Sequence, residues 1–511
     1  GFCGCSGDEA RTTSAARLRA RRRRGVRTGF RAARRVRRLS SFPSARMTPL
    51  VYVAMYGFIP LALYLFRKFP PRIAAAAVLV IGWCFLPQAK FSFPVLPDYA
   101  KDNALGIAVL LGLLASDRRV LGSFRIHPLD APLVCWLVAP FISSLANGLG
   151  AWDGMSAMLG VVFDWGLPYF IGRLYFGSFE ALRELAIAMV IGGLVLAPLA
   201  VYEMIMSPQL HIMFYGWYPH DFSQTMRGGG YRPSIFMEHG LELAMWMAAA
   251  AFFAAQLYLR RSLSGKLPLL RLPLLPCAAG LALVLMASRS AGALLLYLMA
   301  LGVMEAALRL RWKLPILCLA MLPVVYIGLR ATQSWDARNL VRLAEWVTGS
   351  AARAGSLSYR LENESLLVEK ARRQPLFGWG GHRRSFVTDA AGRFISVPDG
   401  MWILTFGRNG VFGLVSLTLS ILLAAVLMVL RLPRGRLRDP LVAPALGFAV
   451  FLGIFMTDNL FNAMYNPLMM VAAGGLASLV AGGRLSPLPQ PDAAADEPTV
   501  EPPAEPATRV I

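Results

Sequence analysis

Three arginines raise the chemical question in this chain. Arg227 and Arg232 fall in a polar stretch between two apolar runs, and Arg289 sits in a Ser-Arg-Ser turn between two more. A guanidinium at membrane level is costly unless it meets an anion. Its planar fork matches phosphate oxygens through paired, charge-assisted hydrogen bonds. A lipid-linked pyrophosphate at the outer leaflet is one such partner, and snorkelling to lipid headgroups is the alternative. Two histidines stand where proton handling is conceivable: His239 begins an apolar run beside Glu238, and His382 follows a glycine turn. His211 and His220 lie among Phe214, Tyr215, Trp217 and Tyr218, a composition suited to an interfacial aromatic belt. Asp164 and Glu203 fall inside apolar runs. They read as an ion or proton site, or as structural partners of Arg173 or of backbone amides.

These residues must be positioned by membrane helices. Mean hydropathy is +0.52 and 56% of residues are hydrophobic. A helix needs about 20 mostly apolar residues to cross the hydrocarbon core. Apolar runs at 48–66, 73–88, 103–116, 131–149, 157–173, 184–206, 238–258, 272–287, 291–308, 314–330, 409–430, 441–457 and 462–482 approach or meet that length. The expected fold is all-α, a polytopic membrane helix bundle of about 12–13 transmembrane helices. One large periplasmic loop bearing short amphipathic helices interrupts it. The divisions are an Arg-rich extension at 1–46, a bundle at 47–330, the loop at 331–400, C-terminal transmembrane helices at 401–482 and a tail at 483–511.

The formal charge of +23 would suggest nucleic acid in a soluble protein. Its location says otherwise. Residues 1–46 contain 14 Arg and two acids, so they supply +12 of that charge. This segment ends just before Met47 and is expected to precede a native start there; the alternative is a basic tail on anionic headgroups. The tail is rich in Pro, Ala and acids and is expected to be disordered. Nucleic acid is not an expected partner; membrane lipids are.

Orientation follows from Lys and Arg in short loops. Loops at 67–72, 118–125, 260–271, 309–313 and 431–438 are basic and alternate with cation-poor ones. The basic set is expected on the cytoplasmic side. Loops 207–237 and 331–400 and the turn at Ser288–Ser290 then face the periplasm of a bacterial inner membrane. Within the long loop, Ser358–Gln374 predicts a surface helix with Glu369 and Arg373 four apart, ended by Pro375 and a turn at Gly378, Gly380 and Gly381. Asp336–Val347 is a second amphipathic candidate. The sequence contains no phosphate-binding glycine loop, zinc helix or nucleophile elbow, and its cysteines have no metal-ligand spacing.

From Trp165 to Gly413 the chain resembles the O-antigen ligase and O-antigen polymerase superfamily of bacterial membrane glycosyltransferases. The resemblance rests on five pieces in family order: Leu167-Pro-Tyr-Phe-Ile-Gly-Arg173; Arg232-Pro-Ser-Ile-Phe236 followed by Glu238-His239-Gly240; Ser288-Arg289-Ser290-Ala291; Tyr359-Arg360, then Pro375-Leu-Phe-Gly-Trp-Gly380; and Gly410 with Gly413. Ligases carry a histidine and a polar residue, then nine residues, then the glycine pair. Here Asp399 and Gly400 hold the leading positions, so aspartate replaces histidine at conserved spacing.

The resemblance implies an undecaprenyl-pyrophosphate-linked glycan as donor and a glycan, lipid or protein hydroxyl as acceptor. It implies Arg232 and Arg289 on the leaving pyrophosphate and Asp399 as base. Arg227, His239, Arg360, His382 and Arg173 are the expected substrate-binding residues. No cofactor and no metal are expected, since arginines supply the positive charge. Two other classes stay open: a transporter or flippase of lipid-linked sugars, and a non-catalytic scaffold for polysaccharide export.

Overall fold

A computed structural model describes residues 47–93, 98–227, 229–483 and 485. The segment 1–46 and the tail from 486 onward, with the start and the disorder expected there, lie outside the described residues. The chain is mostly helical, at 71%. The helices run α1 Pro49–Lys68, α2 Pro71–Phe85, α3 Lys101–Ser116, α4 Ala131–Ala146 and α5 Ala151–Val161. A wider π-turn at Val162–Gly166 leads into α6 Leu167–Tyr175, then α7 Phe179–Met206 and the short α8 Leu210–Tyr215. Next come α9 Gly240–Leu259, α10 Leu274–Ala287, α11 Ala291–Arg309, α12 Leu314–Ala331, α13 Arg338–Thr348 and α14 Ala351–Ala371. The last three are α15 Met401–Arg431, α16 Ala443–Asp458 and α17 Pro467–Ala481. Two antiparallel strand pairs are two residues long each: β1 Lys90–Phe91 with β2 Tyr99–Ala100, and β3 Met226–Arg227 with β4 Gly230–Tyr231.

Eight helical segments are long and apolar enough to cross a membrane, and α2, α10, α16 and α17 are shorter apolar helices beside them. Each of the thirteen expected spans corresponds to a helix, including the short run that became α3. Helix ends are set locally. Pro49, Pro71 and Pro467 occupy first-turn positions, where a missing N–H costs nothing. The Ser178 hydroxyl accepts the Ala181 N–H at 3.2 Å, and Asn466 Oδ1 accepts that of Leu468 at 3.0 Å. α9, mostly apolar but with Glu242 and Gln256 buried on it, is the central element, packed by α7, α10, α11 and α16. α6 and α17 approach so closely that a Cβ at Gly172 would collide with the Val471 carbonyl, and one at Gly474 with that of Tyr169.

The chain ascends and descends so that 207–239, 288–290 and 332–400 share one end of the bundle, called here the loop end. α14 spans Ala351–Ala371, starting seven residues before the expected helix. Leu367, Val368 and Ala371 form its buried stripe, against Tyr326 and Ile327 of α12 and Trp402, Ile403 and Phe406 of α15. That stripe also explains why α15 begins at Met401, well before the expected span at 409: its first two turns belong to this secondary core. Beneath it, Glu364 accepts from Arg330 Nε at 2.5 Å, the Tyr326 hydroxyl at 3.1 Å and Trp402 Nε1 at 3.2 Å. Arg330 also donates to the carbonyls of Trp335 and Leu361.

Removing one member of a buried ion pair leaves the other charge without compensation, at about 3–5 kcal/mol. Arg330→Ala is therefore expected to loosen 332–400 while the bundle persists. Limited proteolysis of purified protein should show faster cleavage in that segment, and unchanged cleavage would remove the pair from its supporting role.

Candidate functional site

The site is built from the loop after α7. Glu203, fully buried near the end of α7, accepts the N–H groups of Ser234 at 2.9 Å, Ile235 at 2.8 Å and Leu210 at 3.0 Å. Of the roles open to this intramembrane acid, the structure gives it backbone amides. Ile235 has φ of 54°, a left-handed conformation unfavourable for a β-branched residue, and the Glu203 carboxylate holds it there. From the other side, the fully buried Lys101 donates to the Phe236 carbonyl at 2.9 Å, with its ammonium 5.2 Å from the Trp83 ring centre. The Arg232-Pro-Ser-Ile-Phe236 element is thus clamped between a buried acid and a buried base.

This clamp presents Arg232 beside the other two arginines. Arg289, itself at φ of 57°, donates through Nη1 to the Arg227 carbonyl at 3.1 Å. Arg232 Nη2 lies 3.4 Å from the Arg289 carbonyl. The Arg289 guanidinium lies flat over Gly230, where an added Cβ would come within 2.6 Å of the guanidinium carbon. Glycine is needed at 230 for that approach. Arg232 is buried, and its Nε, like His220 Nδ1, has no hydrogen-bond partner; both residues line one narrow crevice with Tyr218, Thr225 and His239. Burial, with the charges of Arg227 and Arg360 close by, pushes the Arg232 pKa down to about 10.

His239 caps α9 by accepting the Leu241 N–H on Nδ1 at 3.0 Å, which leaves Nε2 as its protonated nitrogen. Its ring meets that of His220 edge-on, with centres 4.7 Å apart. Burial, then His220 and the arginines, push its pKa down to about 3, so it is an uncharged imidazole at neutral pH.

The remaining element faces this cluster from α14 and the chain before α15. Arg360 Nε lies 3.5 Å from Asp399 Oδ2. Arg360 Nη1 donates to the Phe461 carbonyl at 2.9 Å and to Asn462 Oδ1 at 3.1 Å, while Asn462 Nδ2 donates to Asp458 at 2.7 Å. The Asp399 carboxyl is raised by burial, and Arg360 counters that rise. The positive charge of Arg360 is felt at both Arg232 and His239, so the two halves share one electrostatic field.

The glycine motifs form one unit that holds this half. α15 breaks at Gly410, with φ of 66° and ψ of −165°. Pro375–Gly381 lies along the break: the Pro375 and Leu376 carbonyls accept from Val411 and Phe412 at 2.7 and 3.1 Å. The N–H groups of Trp379 and Gly380 donate to Gly407 and Arg408, both at 2.9 Å. Backbone groups freed by the kink are therefore paired. At Gly378, φ 65°, a Cβ would come within 2.6 Å of the Arg408 carbonyl carbon and the Gly410 nitrogen. Ser143 and Asn147 of α4 and its end tie the Phe377, Arg408 and Gly378 carbonyls to the bundle.

Of the eight expected site residues, Arg227, Arg232, Arg289 and His239 form one cluster, and Arg360 with Asp399 face it. His382 is exposed, and the cations that lower its pKa, after burial, are Arg408, Arg383 and Lys90. It stands apart from Asp399. Arg173 is at the opposite end of the bundle, where it pairs with Asp130 at 3.0 Å and donates to the Arg125 carbonyl. Its guanidinium is committed there, and Asp130 rather than Asp164 is its partner. The sequence reading gave His220 to an interfacial aromatic belt and did not single out Lys101 or Asn462. Only Lys101 left a signal, as a lysine directly before a short apolar run. Among the described residues, no group of three or more His, Cys, Asp or Glu side chains is arranged to hold a metal ion.

The fold and site define a multi-pass helical bundle with a basic pocket at its loop end. No protein-family model, no curated protein and no solved structure matches the chain. The ligase-like reading therefore stands on the residues themselves.

Glu203→Ala leaves buried N–H groups without an acceptor, at about 1–3 kcal/mol each. Hydrogen exchange in a peptide covering 232–240 is expected to speed up by on the order of tenfold or more. Exchange at the wild-type rate would show that the clamp does not hold the Arg232 loop.

Proposed function

We propose that this protein is a membrane glycosyltransferase of O-antigen ligase or polymerase type. It transfers an undecaprenyl-pyrophosphate-linked glycan at the periplasmic face of a bacterial inner membrane, in surface-polysaccharide synthesis. The observation that carries the reading is the gathering of Arg227, Arg232 and Arg289, of which Arg232 lines the crevice, with Arg360 near enough for its charge to act on Arg232 and Asp399 beside Arg360 in a second crevice.

The chemistry follows from those groups. An acceptor hydroxyl oxygen attacks the anomeric carbon of the donor sugar. The bond from that carbon to the pyrophosphate oxygen breaks, and undecaprenyl pyrophosphate leaves with the electron pair. The hydroxyl proton passes to Asp399. Arg232 and Arg289 stabilise the charge growing on the leaving group, the kind of preorganised electrostatic help that usually dominates such transfers. Burial raises the proton affinity of Asp399, and Arg360, which lies beside it, partly offsets that rise. His239 contributes an uncharged N–H, so it can donate to a phosphate or sugar oxygen without titrating in the working range.

The transport alternative relied on Asp164 and Glu203 as mid-membrane charges. Glu203 is occupied by backbone amides, and Lys101 by a carbonyl.

Two outcomes are expected. In a deletion strain complemented at matched expression, Arg232→Ala, Arg289→Ala and Asp399→Ala should each abolish or sharply reduce polymer transfer. Undecaprenyl-linked repeat units should accumulate outside the inner membrane. Accumulation on the cytoplasmic side would indicate a flippase instead, and wild-type polymer from all three variants would defeat the assignment. Second, loss of a general base costs about 10²–10⁴ in rate. A base works only when deprotonated, so activity should fall as pH drops through the Asp399 pKa. Burial sets that limb above the ordinary carboxylate range. Asp399→Asn should show a low, pH-flat rate, and an unchanged acid limb in that variant would place the base elsewhere.

A further inference from the structure

At the end of the bundle opposite the arginine crevice lies a cavity of about 480 Å³. Arg260, Arg309 and Arg438 come to it from three different connections, after α9, at the end of α11 and between α15 and α16. One acid serves two of them: Glu305 pairs with Arg260 and lies 3.3 Å from Arg309 Nε. Arg438 is oriented by carbonyls, donating to Leu308 at 3.0 Å and to Arg309 at 3.3 Å. The cluster therefore carries two formal positive charges beyond its acid. Arg309 and Arg438 are exposed to the surroundings. The rest of the wall is aliphatic, from Leu259, Leu301 and Leu308, and it continues along the apolar sides of α9 and α11.

We propose that this cavity is a binding site for an anionic phospholipid of the leaflet on that side. A charged rim above an aliphatic wall fits an amphiphile whose phosphate meets the guanidinium groups and whose acyl chain follows the helices. A free phosphate would find the rim but gain nothing from the wall. The positive charge is also held in a fixed geometry: carbonyl bonds orient Arg438 without neutralising it, and Arg309 shares its one acid, Glu305, with Arg260. The site is independent of the glycosyl-transfer reading. The lipid would join α9, α11 and the α15–α16 connection at a level far from the reacting groups.

The test is native mass spectrometry of the full chain released from nanodiscs of phosphatidylcholine containing a minor fraction of phosphatidylglycerol. The wild type should retain phosphatidylglycerol in preference to phosphatidylcholine. The double variant Arg309→Ala/Arg438→Ala should lower that retention by on the order of tenfold, since each cation near an anionic headgroup contributes measurably. Arg309→Lys/Arg438→Lys keeps the charge and should keep most of the retention, which separates binding from a folding defect. Arg434→Ala, in the same connection but outside the cavity, should behave as wild type. Equal retention of both lipids by the wild type would overturn the proposal, as would undiminished phosphatidylglycerol on the alanine variant. So would displacement of the lipid by inorganic phosphate at matched concentration, which would mark a free-anion site.

Discussion

The loop end depends on a buried pair of opposite charges that never touch each other. Glu203 takes the amides of Ser234 and Ile235, and Lys101 takes the carbonyl of Phe236. A charge within a membrane bundle is tolerated only when its hydrogen-bonding capacity is used. Here that capacity is used on three successive residues of one turn. The turn includes a non-glycine residue at positive φ, which the surrounding hydrogen bonds over-determine. Arg232 is the first residue of that element, so its direction is inherited from two side chains on α7 and at the start of α3. The guanidinium positions then propagate through backbone: Arg232 leans on the Arg289 carbonyl, and Arg289 on the Arg227 carbonyl.

The opposing wall is fixed by a different device. A transmembrane helix that breaks must re-satisfy the backbone groups it frees, because no water is available to do so. α15 breaks at Gly410, and the Pro375–Gly381 segment supplies the missing partners. That strap pulls the end of α14 against α15, and the Arg330–Glu364 pair pins the other side of the same helix to α12. Arg360 and Asp399 are thereby held on short, packed elements, although they belong to the one long polar segment of the chain. Rigid support would serve the proposed role of Asp399 as a base, since general-base efficiency depends on geometry before proton affinity.

The hydrophobic runs were legible because membrane burial acts residue by residue and accumulates over a window. Even the short run at 103–116 became a helix. Element starts were less legible where a second core intruded: α15 begins at Met401 because Trp402, Ile403 and Phe406 pack under α14, a contact no local pattern reveals. The gathering of Arg227, Arg232 and Arg289 was suggested by their common side of the membrane. Partners of single buried charges were not. Arg173 could be placed near a helix end, but its match to Asp130 depends on which connections meet there. Lys101 and Glu203 are separated by about a hundred residues, and their cooperation exists only in the folded chain.

The buried arginines are held in two ways, and the contrast bears on what the crevice is for. Arg173 has Asp130, Arg260 has Glu305 and Arg330 has Glu364, close ion pairs that offset the cost of desolvation. Arg232 leans instead on a carbonyl oxygen, which aims a guanidinium without cancelling its charge. Arg232 feels the repulsion of Arg227 and Arg360 while its Nε is buried without a partner. Such an arrangement raises the free energy of the empty protein, and an anion with several oxygens would relieve both the repulsion and the unsatisfied donor at once. Any ligand that binds the folded state in this way stabilises it in proportion to its occupancy. One carboxylate, Asp221, stands on the crevice wall beside His220, and Asp399 pairs with Arg360 in a second crevice; among the described residues neither forms an ion pair with Arg232, which keeps its charge for an incoming anion.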